Sequence, residues 1–315
     1  MDTLVIGIDL GGTNIKVGLV TAEGRVLRRR SVPTEAAGGP TAVAARICRA
    51  ARECAEAAGV PVGDIKGVGA GSPGTINLAE GIVEFSPNLT GWRNIPLRAL
   101  IQDDLKLPCV LDNDANVAAL AEQWVGAGRG ADSLVLLTLG TGIGGGIILD
   151  GRIWHGANGV AGEIGHMCIE PEGRACPCGN RGCFERYASA TGMVLSLREA
   201  VDSGSKTPLA ARLDAVTARD VTEAAAAGDA VAAQVVERTA RYLGLGVSNL
   251  MHIINPRVIA FSGGVTAAGR MLMDPVMDEV NARTLEASRR DIRVCFAELP
   301  NDAGIIGAAR CFMLA

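Results

Sequence analysis

Asp9-Leu10-Gly11-Gly12-Thr13-Asn14 (DLGGTN) joins two apolar stretches near the start of the chain. The alternation of apolar and polar residues around it predicts strands over 4–10, 14–20 and 25–32. A glycine turn between two strands therefore opens the α/β pattern of this chain, and the remaining motifs are placed relative to it.

The turn has the composition of a phosphate-binding loop. Glycines let backbone amides approach a phosphate, and the Thr13 hydroxyl can donate one further hydrogen bond. Asp9 could hold Mg²⁺ or its water shell. It is not a Walker A loop, because no Gly-Lys-Ser/Thr follows, and it is not a dinucleotide fingerprint, because a strand comes next. A plain hairpin turn is the alternative.

Two more glycine loops follow predicted strands. Gly140–Gly146 comes after a strand over 134–139, and Ser262–Val265 comes after a strand that ends near Phe261. Each loop alone is compatible with a tight turn. Three such loops at the ends of apolar strands of an α/β fold favour nucleotide binding. The expected nucleotide contacts are Asp9, Gly11, Gly12, Thr13, Asn14, Gly140, Thr141, Gly142, Gly263 and Gly264.

The remaining pattern predicts two α/β units that face a cleft. The other predicted strands span 65–70, 109–112, 144–149, 152–154, 258–262 and 292–296. The predicted helices span 41–58, 115–125, 185–201, 230–254, 268–288 and 303–314.

Composition excludes several classes of protein. The chain has 315 residues, a net charge of −4 and nine cysteines. The negative charge gives no general reason to bind nucleic acid or an anionic membrane, and Arg28–Arg30 is interpreted as a solvated strand edge. The start of the chain lacks a basic region, and apolar runs are shorter than the roughly 18 residues of a spanning helix. We therefore expect a cytoplasmic protein with reduced or metal-bound thiols.

Three of the cysteines form a compact cluster. Cys176, Cys178 and Cys183 lie in a turn-rich segment, ten residues or more after His166. One imidazole and three thiolates are the ligand set of a closed tetrahedral zinc site, which leaves no open position for catalysis. We expect a structural Zn²⁺ ion; a disulfide and unliganded thiols are the alternatives. His155 and His252 stand alone, and structural roles are expected for both.

Carboxylates occur at two further places. Asp112-Asn113-Asp114 ends a predicted buried strand and opens a helix, where ligands of open α/β sheets bind. Asp114 suits a general base and Asn113 a group that holds an alcohol in line, although Asp and Asn are also favoured helix N-caps. Glu163 and Glu185 flank the cysteine segment, and their carboxylates suit hydrogen bonds with the hydroxyl groups of a polyol. The alternative is that each glutamate is an ordinary surface charge.

These motifs together resemble the ROK family of sugar kinases, and within it the bacterial ATP-dependent glucokinases. The resemblance runs from about Asp9 to Gly307. Its most specific part is the CxCGxxGCxE block of Cys176–Glu185, in which every defining position is filled. The departures from the family pattern are minor, and none falls on a motif position.

The resemblance implies an actin-like, hexokinase-type (ribonuclease H-like) fold with two α/β lobes around a cleft. We expect a small lobe over 1–115, to which a helix over about 303–315 returns, and a large lobe over 116–302 that carries the zinc loop. It implies that Asp114 is the general base and that His166 serves both zinc and sugar. The residues implied to line the sugar are Gly74, Thr75, Asn88, Asn113, Asp114, Glu163, His166 and Glu185. Those implied to face Mg-ATP are Asp9, Gly12, Thr13, Thr141, Gly263 and Gly264.

The implied activity is transfer of the ATP γ-phosphate to the 6-hydroxyl of glucose. N-acetylmannosamine, N-acetylglucosamine, mannose and fructose kinases share these motifs, and polyphosphate is an open alternative to ATP as donor. A sugar-responsive repressor of the same family is the more distant alternative. It is disfavoured because only eight residues precede Asp9, too few for a helix-turn-helix module. A homodimer or homotetramer is expected, without nucleic acid or membrane partners.

Overall fold

A computed structural model describes residues 3–299 and 301–315. It confirms the mixed α/β class. The chain divides into two compact units. The first unit comprises Met1–Leu136, Gly146–Gly162 and Ala297–Ala315, and the second comprises Leu137–Gly145 and Glu163–Phe296.

The strands are β1 (Leu4–Leu10), β2 (Asn14–Thr21), β3 (Val26–Pro33), β4 (Val68–Ser72), β5 (Thr75–Asn77), β6 (Ile82–Phe85), β7 (Arg93–Ile95), β8 (Cys109–Asn113), β9 (Leu134–Leu139), β10 (Ile143–Leu149), β11 (Arg152–Ile153), β12 (Val258–Ser262) and β13 (Arg293–Phe296). The helices are α1 (Gly39–Ala57), α2 (Leu97–Leu105), α3 (Asp114–Val125), α4 (Glu185–Ala188), α5 (Ala190–Asp202), α6 (Ala218–Ala226), α7 (Ala230–Ile253), α8 (Arg270–Arg283), α9 (Glu286–Arg289) and α10 (Ala303–Leu314). Within residues 3–299 and 301–315, no helix combines the length and apolar character needed to cross a membrane.

The first unit is built on a mixed sheet with the strand order β3-β2-β1-β4-β8. Strands β1, β2 and β3 pair antiparallel, whereas β1, β4 and β8 run parallel. In the parallel part, Asp9 pairs with Gly71 and Gly71 pairs with Asp112. The carboxyl ends of β1 and β8, which carry the glycine turn and the Asp-Asn-Asp motif, therefore lie at one edge of the sheet, two strands apart.

Helix α1 covers the sheet as its apolar spacing predicts. Val43, Ile47, Ala51 and Cys54 are all buried in the core with the β1 and β2 side chains. These residues recur at helical spacing, so they form a single apolar face.

Helix α10 packs on the same sheet at the distance of backbone contact. A Cβ atom at Gly7 would lie 1.9 Å from the carbonyl oxygen of Ile305, and one at Gly69 would lie 1.7 Å from that of Ala308. A Cβ atom at Gly307 would lie 1.6 Å from the carbonyl oxygen of Val117 in α3. Only glycine leaves enough room at these three positions for the helix to lie so close to β1, β4 and α3.

A buried carboxylate holds the chain that leads into α10. Glu122 of α3 is fully buried and accepts hydrogen bonds from the backbone N–H groups of Ala127, Glu298 and Leu299, at 2.8, 3.0 and 2.7 Å. These donors compensate for the removal of the carboxylate from water. Glu122 therefore ties the C-terminal segment to α3, a contact that the sequence pattern does not indicate.

The second five-stranded sheet has the order β11-β10-β9-β12-β13. Strands β10 and β11 pair antiparallel, and β12 and β13 pair parallel. Strands β9 and β10 contribute residues to both units. Within the second unit the long helix α7 packs along α8, and α4, α5 and α6 surround it.

Several elements differ from the sequence prediction. Helix 185–201 is interrupted at Ser189, whose backbone is extended (φ −90°, ψ 173°) and whose hydroxyl caps α5 by accepting from Gly192 N. The predicted helix over 268–288 ends at Arg283, and α9 is a separate turn. The antiparallel sheet β5-β6-β7 and the helices α2 and α6 are absent from the prediction, because short elements carry too little periodicity to be recognised.

The close packing of α10 gives a stability prediction. Gly69→Ala should lower the free energy of unfolding by about 1–3 kcal/mol, because the methyl group must displace the α10 backbone. Gly63→Ala is the matched control, because a Cβ there has no heavy atom within 4 Å. Urea unfolding measures both. Equal stability of the two variants would contradict the described contact.

Candidate functional site

The Asp112–Asp114 turn joins β8 to α3 in the first unit. Asn113 is the N-cap: its Oδ1 accepts from the N–H groups of Ala115 at 2.9 Å and Asn116 at 3.4 Å. Its Nδ2 donates to the carbonyl oxygen of Gly74 at 3.2 Å. The capping role that the sequence left open therefore belongs to Asn113, and the same side chain joins the turn to Gly74.

Asp114 is the first residue of α3 and is only partly buried. Its Oδ1 accepts from the N–H of Ala115 at 2.9 Å. The N-terminus of a helix stabilises the charged form of a carboxylate. Asp114 thus lies at the N-terminus of α3, directly after the carboxyl end of β8.

Asp112 is almost fully buried, with 2% of its surface exposed. Its Oδ1 accepts from Asn113 N at 2.7 Å and from Asn116 Nδ2 at 3.0 Å. Its Oδ2 lies 2.7 Å from Nε2 of His155, and the Cys311 thiol donates to it over 3.8 Å. The hydrogen bond to Asp112 raises the pKa of His155, and partial burial of the imidazole works against that rise.

The glycine turn after β1 is held from both sides. Gly11 N donates to Asn14 O at 2.9 Å, and the Thr34 hydroxyl donates to Gly11 O at 2.7 Å. Thr13 and Gly12 are exposed. A Cβ at Gly12 would lie 2.9 Å from the carbonyl oxygen of Asn88, so this glycine permits close approach of that residue.

Asp9, at the end of β1, lies beside a cation. Lys16 Nζ is 3.6 Å from Asp9 Oδ2. Burial raises the pKa of Asp9, and the Lys16 ammonium partly offsets that rise. A Cβ at Gly304 would lie 2.5 Å from Asp9 Cγ, so the first turn of α10 leaves room for the carboxylate. Lys16 was not recognised from the sequence, although its place on β2 opposite Asp9 follows from the hairpin register.

Gly74 and Thr75 complete the predicted sugar contacts of this unit. Gly74 has a φ of 104°, and a Cβ there would lie 2.1 Å from Phe85 O. Thr75 pairs with Phe85 in the β5-β6 ladder. Glycine is therefore required at 74, where the chain turns toward the Asn113 side chain.

In the second unit, the four predicted metal ligands come together. One ligand atom each from His166, Cys176, Cys178 and Cys183 lies within 4.8 Å of all the others. Cys178 Sγ is 3.6 Å from Cys183 Sγ, and Cys176 Sγ is 3.8 Å from His166 Nδ1. A tetrahedral ion with metal–sulfur bonds of about 2.3 Å places its sulfurs about 3.8 Å apart, so the donor set fits such an ion.

Both flanking glutamates contact this cluster. Glu163 Oε2 is 3.8 Å from Nε2 of His166, so the ring has Nδ1 toward the thiols and Nε2 toward Glu163. Cys176 Sγ donates to Glu185 Oε1 over 3.4 Å. The other Glu185 oxygen lies 2.4 Å from where a Cβ of Gly142 would be, so Glu185 also packs against the glycine loop after β9.

The other glycine loop of the second unit meets the same strand end. Gly263 has a φ of 94°, and a Cβ there would lie 2.4 Å from the carbonyl oxygen of Leu139. Gly140 O accepts from Ala190 N, at the start of α5, at 2.9 Å. Thr141, Gly263 and Gly264 are accessible, whereas Gly140 and Gly142 are partly covered.

The predicted residues therefore form one set in each unit. The set of the first unit is Asp9, Gly11, Gly12, Thr13, Asn14, Gly74, Thr75, Asn88, Asn113 and Asp114. The set of the second unit is Gly140, Thr141, Gly142, Glu163, His166, Cys176, Cys178, Cys183, Glu185, Gly263 and Gly264.

Arg174 anchors the cysteine segment in a way that the sequence did not indicate. Its guanidinium forms a bidentate ion pair with the Glu199 carboxylate, with N–O distances of 2.6 and 2.7 Å, and donates to Ser196 Oγ at 2.9 Å. It also stacks over the Tyr187 ring at 4.6 Å. The planar guanidinium suits such a set of contacts, which fix the segment to α4 and α5.

Comparison with known proteins gives a consistent result. A family model described as "ROK family" matches residues 5–313. A glucokinase of Halalkalibacterium halodurans is 41% identical over 97% of this chain and 94% of its own length. A glucokinase of Thermotoga maritima is 38% identical over 97% of this chain and 96% of its own length.

A solved structure agrees with these matches. The crystal structure of a ROK family glucokinase from Streptomyces griseus, in complex with glucose and AMPPNP, has a TM-score of 0.80 and is 34% identical. The match covers 98% of each chain. The expectation of an actin-like, hexokinase-type fold is confirmed.

Proposed function

The chain belongs to the ROK family, and on this premise we propose that it is an ATP-dependent hexose kinase that phosphorylates glucose at its 6-hydroxyl. Near-full-length similarity to two bacterial glucokinases supports this activity. The observation that carries the proposal is the turn after β8. There Asp114 begins α3 at the same sheet edge as the glycine turn after Asp9.

Asp114 is the general base of the proposed reaction. Phosphoryl transfer needs a residue that accepts the proton of the attacking hydroxyl and groups that hold this hydroxyl in line. The Asp114 carboxylate takes the proton at one of its oxygens. The Asn113 amide, whose Oδ1 is fixed by capping α3, holds the alcohol. Because both side chains start from one strand-to-helix turn, their geometry is set by the backbone.

The glycine turns bind the nucleotide. The Streptomyces griseus glucokinase binds AMPPNP, an analogue of ATP, which supports ATP as the donor here. In the first unit, backbone amides around Gly12 and Thr13 suit phosphate oxygens, and Gly11 and Asn14 shape the turn. In the second unit, backbone amides around Thr141, Gly263 and Gly264 suit them in the same way, and Gly140 and Gly142 shape the turn. Asp9 is the carboxylate that suits Mg²⁺, which neutralises phosphate charge when bound.

Each set contains residues to which we assign contacts with the sugar. In the first unit these are Gly74, Thr75 and Asn88 with Asn113 and Asp114. In the second unit, the Glu163 and Glu185 carboxylates can accept hydrogen bonds from hydroxyl groups, and the His166 imidazole can donate one. His166 presents Nε2 beside Glu163 while Nδ1 faces the thiols, which supports a double role for this ring.

The Cys₃His group suits a structural Zn²⁺ ion. With four protein ligands, a tetrahedral ion held there would order the segment and would have no open position for substrate. His166 contacts Glu163 and Cys176 contacts Glu185, which supports the proposal that such an ion would also fix these two sugar ligands. A cytoplasmic location and a homodimer or homotetramer stay predictions.

Substrate choice is the first test. A coupled ADP-release assay should give the highest kcat/KM with glucose and ATP, above mannose, fructose, N-acetylglucosamine and N-acetylmannosamine. ATP without sugar, and polyphosphate as donor, are the controls. A higher kcat/KM with an acetylated hexosamine would identify that sugar, and not glucose, as the substrate. No sugar-dependent ADP release would refute the kinase assignment.

Removal of the base is the second test. Asp114→Asn should lower kcat by about 10²–10⁴-fold, because it keeps the shape of the side chain and removes the proton acceptor. Glucose binding, followed by calorimetry, should persist. Asp103→Asn, on the exposed side of α2, is the matched control and should keep full turnover. Near-normal turnover of Asp114→Asn would remove Asp114 from this role.

Metal content is the third test. Elemental mass spectrometry should find about one zinc ion per chain, as expected for one Cys₃His site. Cys178→Ala should lose the ion, and its melting temperature should fall. Cys168→Ala, an exposed cysteine of the same segment outside the group of four, should keep the ion. Equal zinc content in both variants would contradict the assigned ligand set.

A further inference from the structure

His155 is a residue that the proposed mechanism does not use. It follows β11 in the first unit, and about a third of its side chain is exposed (32%). Its Nε2 lies 2.7 Å from Oδ2 of Asp112, which is 43 residues away in sequence. With the Asp112 oxygen as the acceptor, Nε2 carries the proton of this hydrogen bond.

The hydrogen bond completes the environment of a buried carboxylate. Asp112 has four donors, namely Asn113 N, Asn116 Nδ2, His155 Nε2 and Cys311 Sγ. Among these four, the imidazole alone can carry a positive charge. A buried carboxylate with too few partners rotates, takes up a proton or admits water, because burial without compensation is costly.

We propose that His155 is a positioning residue for phosphoryl transfer: it fixes the Asp112 carboxylate, which in turn holds the Asn113–Asp114 turn. The inference rests on the proposed function in naming Asp114 as the base. The path is short, because Asp112 Oδ1 binds the backbone N–H of Asn113 itself. It also accepts from the side chain of Asn116, in the first turn of α3.

The loop that carries His155 also packs against the residues that follow Thr75, one of the predicted sugar contacts. The carbonyl oxygen of His155 accepts from Ala161 N at 3.0 Å, which closes the loop. A Cβ at Gly159 would lie 3.6 Å from Ile76 O and from Leu78 Cδ1, so the loop packs against the residues that follow Thr75. His155 therefore joins the Asn113–Asp114 turn to the strand that carries Thr75.

The test compares two substitutions of His155. His155→Ala should lower kcat by about 10–100-fold, because small displacements of a base are costly. The KM for ATP should stay unchanged. His155→Gln, whose amide donates over a similar reach, should restore kcat to within about threefold of the wild type, or about 0.7 kcal/mol. A residue with only a structural role would lower the melting temperature and would not separate kcat from the KM for ATP.

Two further measurements keep the outcome decisive. His252→Ala removes a histidine of the second unit that accepts from Leu285 N, and it should keep full turnover. In His155→Ala, hydrogen exchange at the backbone N–H of Asn113 should be at least about tenfold faster, because its acceptor, the Asp112 carboxylate, is no longer fixed. This readout holds even if the wild type has no kinase activity, which would refute the proposed function alone. Wild-type kcat in His155→Ala, no rescue by glutamine, or unchanged exchange at Asn113 would overturn the role of His155.

Discussion

A carboxylate that is buried at the end of a parallel strand must be surrounded by hydrogen-bond donors, and the candidate site of the first unit depends on how Asp112 meets this requirement. Its partners come from the helix that follows it, from α10 and from the loop after β11. Three separate parts of the first unit are therefore fixed to one turn. This network fixes the positions of the next two residues, Asn113 and Asp114. We assign to them the binding of the alcohol and the acceptance of its proton.

The same turn explains why glycines are needed around it. Gly71 lies beside Asp112 in the sheet, and a Cβ there would lie 3.5 Å from the Cα of Asp114 and 2.6 Å from the Val117 side chain. Helix α3 therefore starts directly over β4. With α10 in backbone contact on the same strands, little space remains for the turn to shift, and a rigid base favours catalysis.

Much of the fold was predictable from sequence because its signals are local. Strands β1, β9 and β12 and helix α10 have the bounds that their periodicity predicts. The break at Ser189 was not predictable in this way, because a serine within an apolar helical pattern is compatible with continuation. The sheet β5-β6-β7 was missed since its strands have three or four residues each.

The sequence predicted those residues of the candidate site that belong to a motif. It did not predict residues whose contacts are distant in sequence. The cysteine spacing indicated the Cys₃His group, and its four residues are close in the structure. His155 was interpreted as a lone structural histidine, because nothing in its neighbours points to Asp112. Its significance, like that of Arg174, depends on the tertiary structure, whereas the pairing of Lys16 with Asp9 follows from the β1-β2 register.

The claim that this chain transfers phosphate to the 6-hydroxyl of glucose is measured most directly by phosphorus–proton correlation spectroscopy of the product formed from glucose and ATP. Transfer to the 6-hydroxyl predicts that the new phosphorus couples to the protons of C6, and coupling to a proton on any other carbon would refute this transfer.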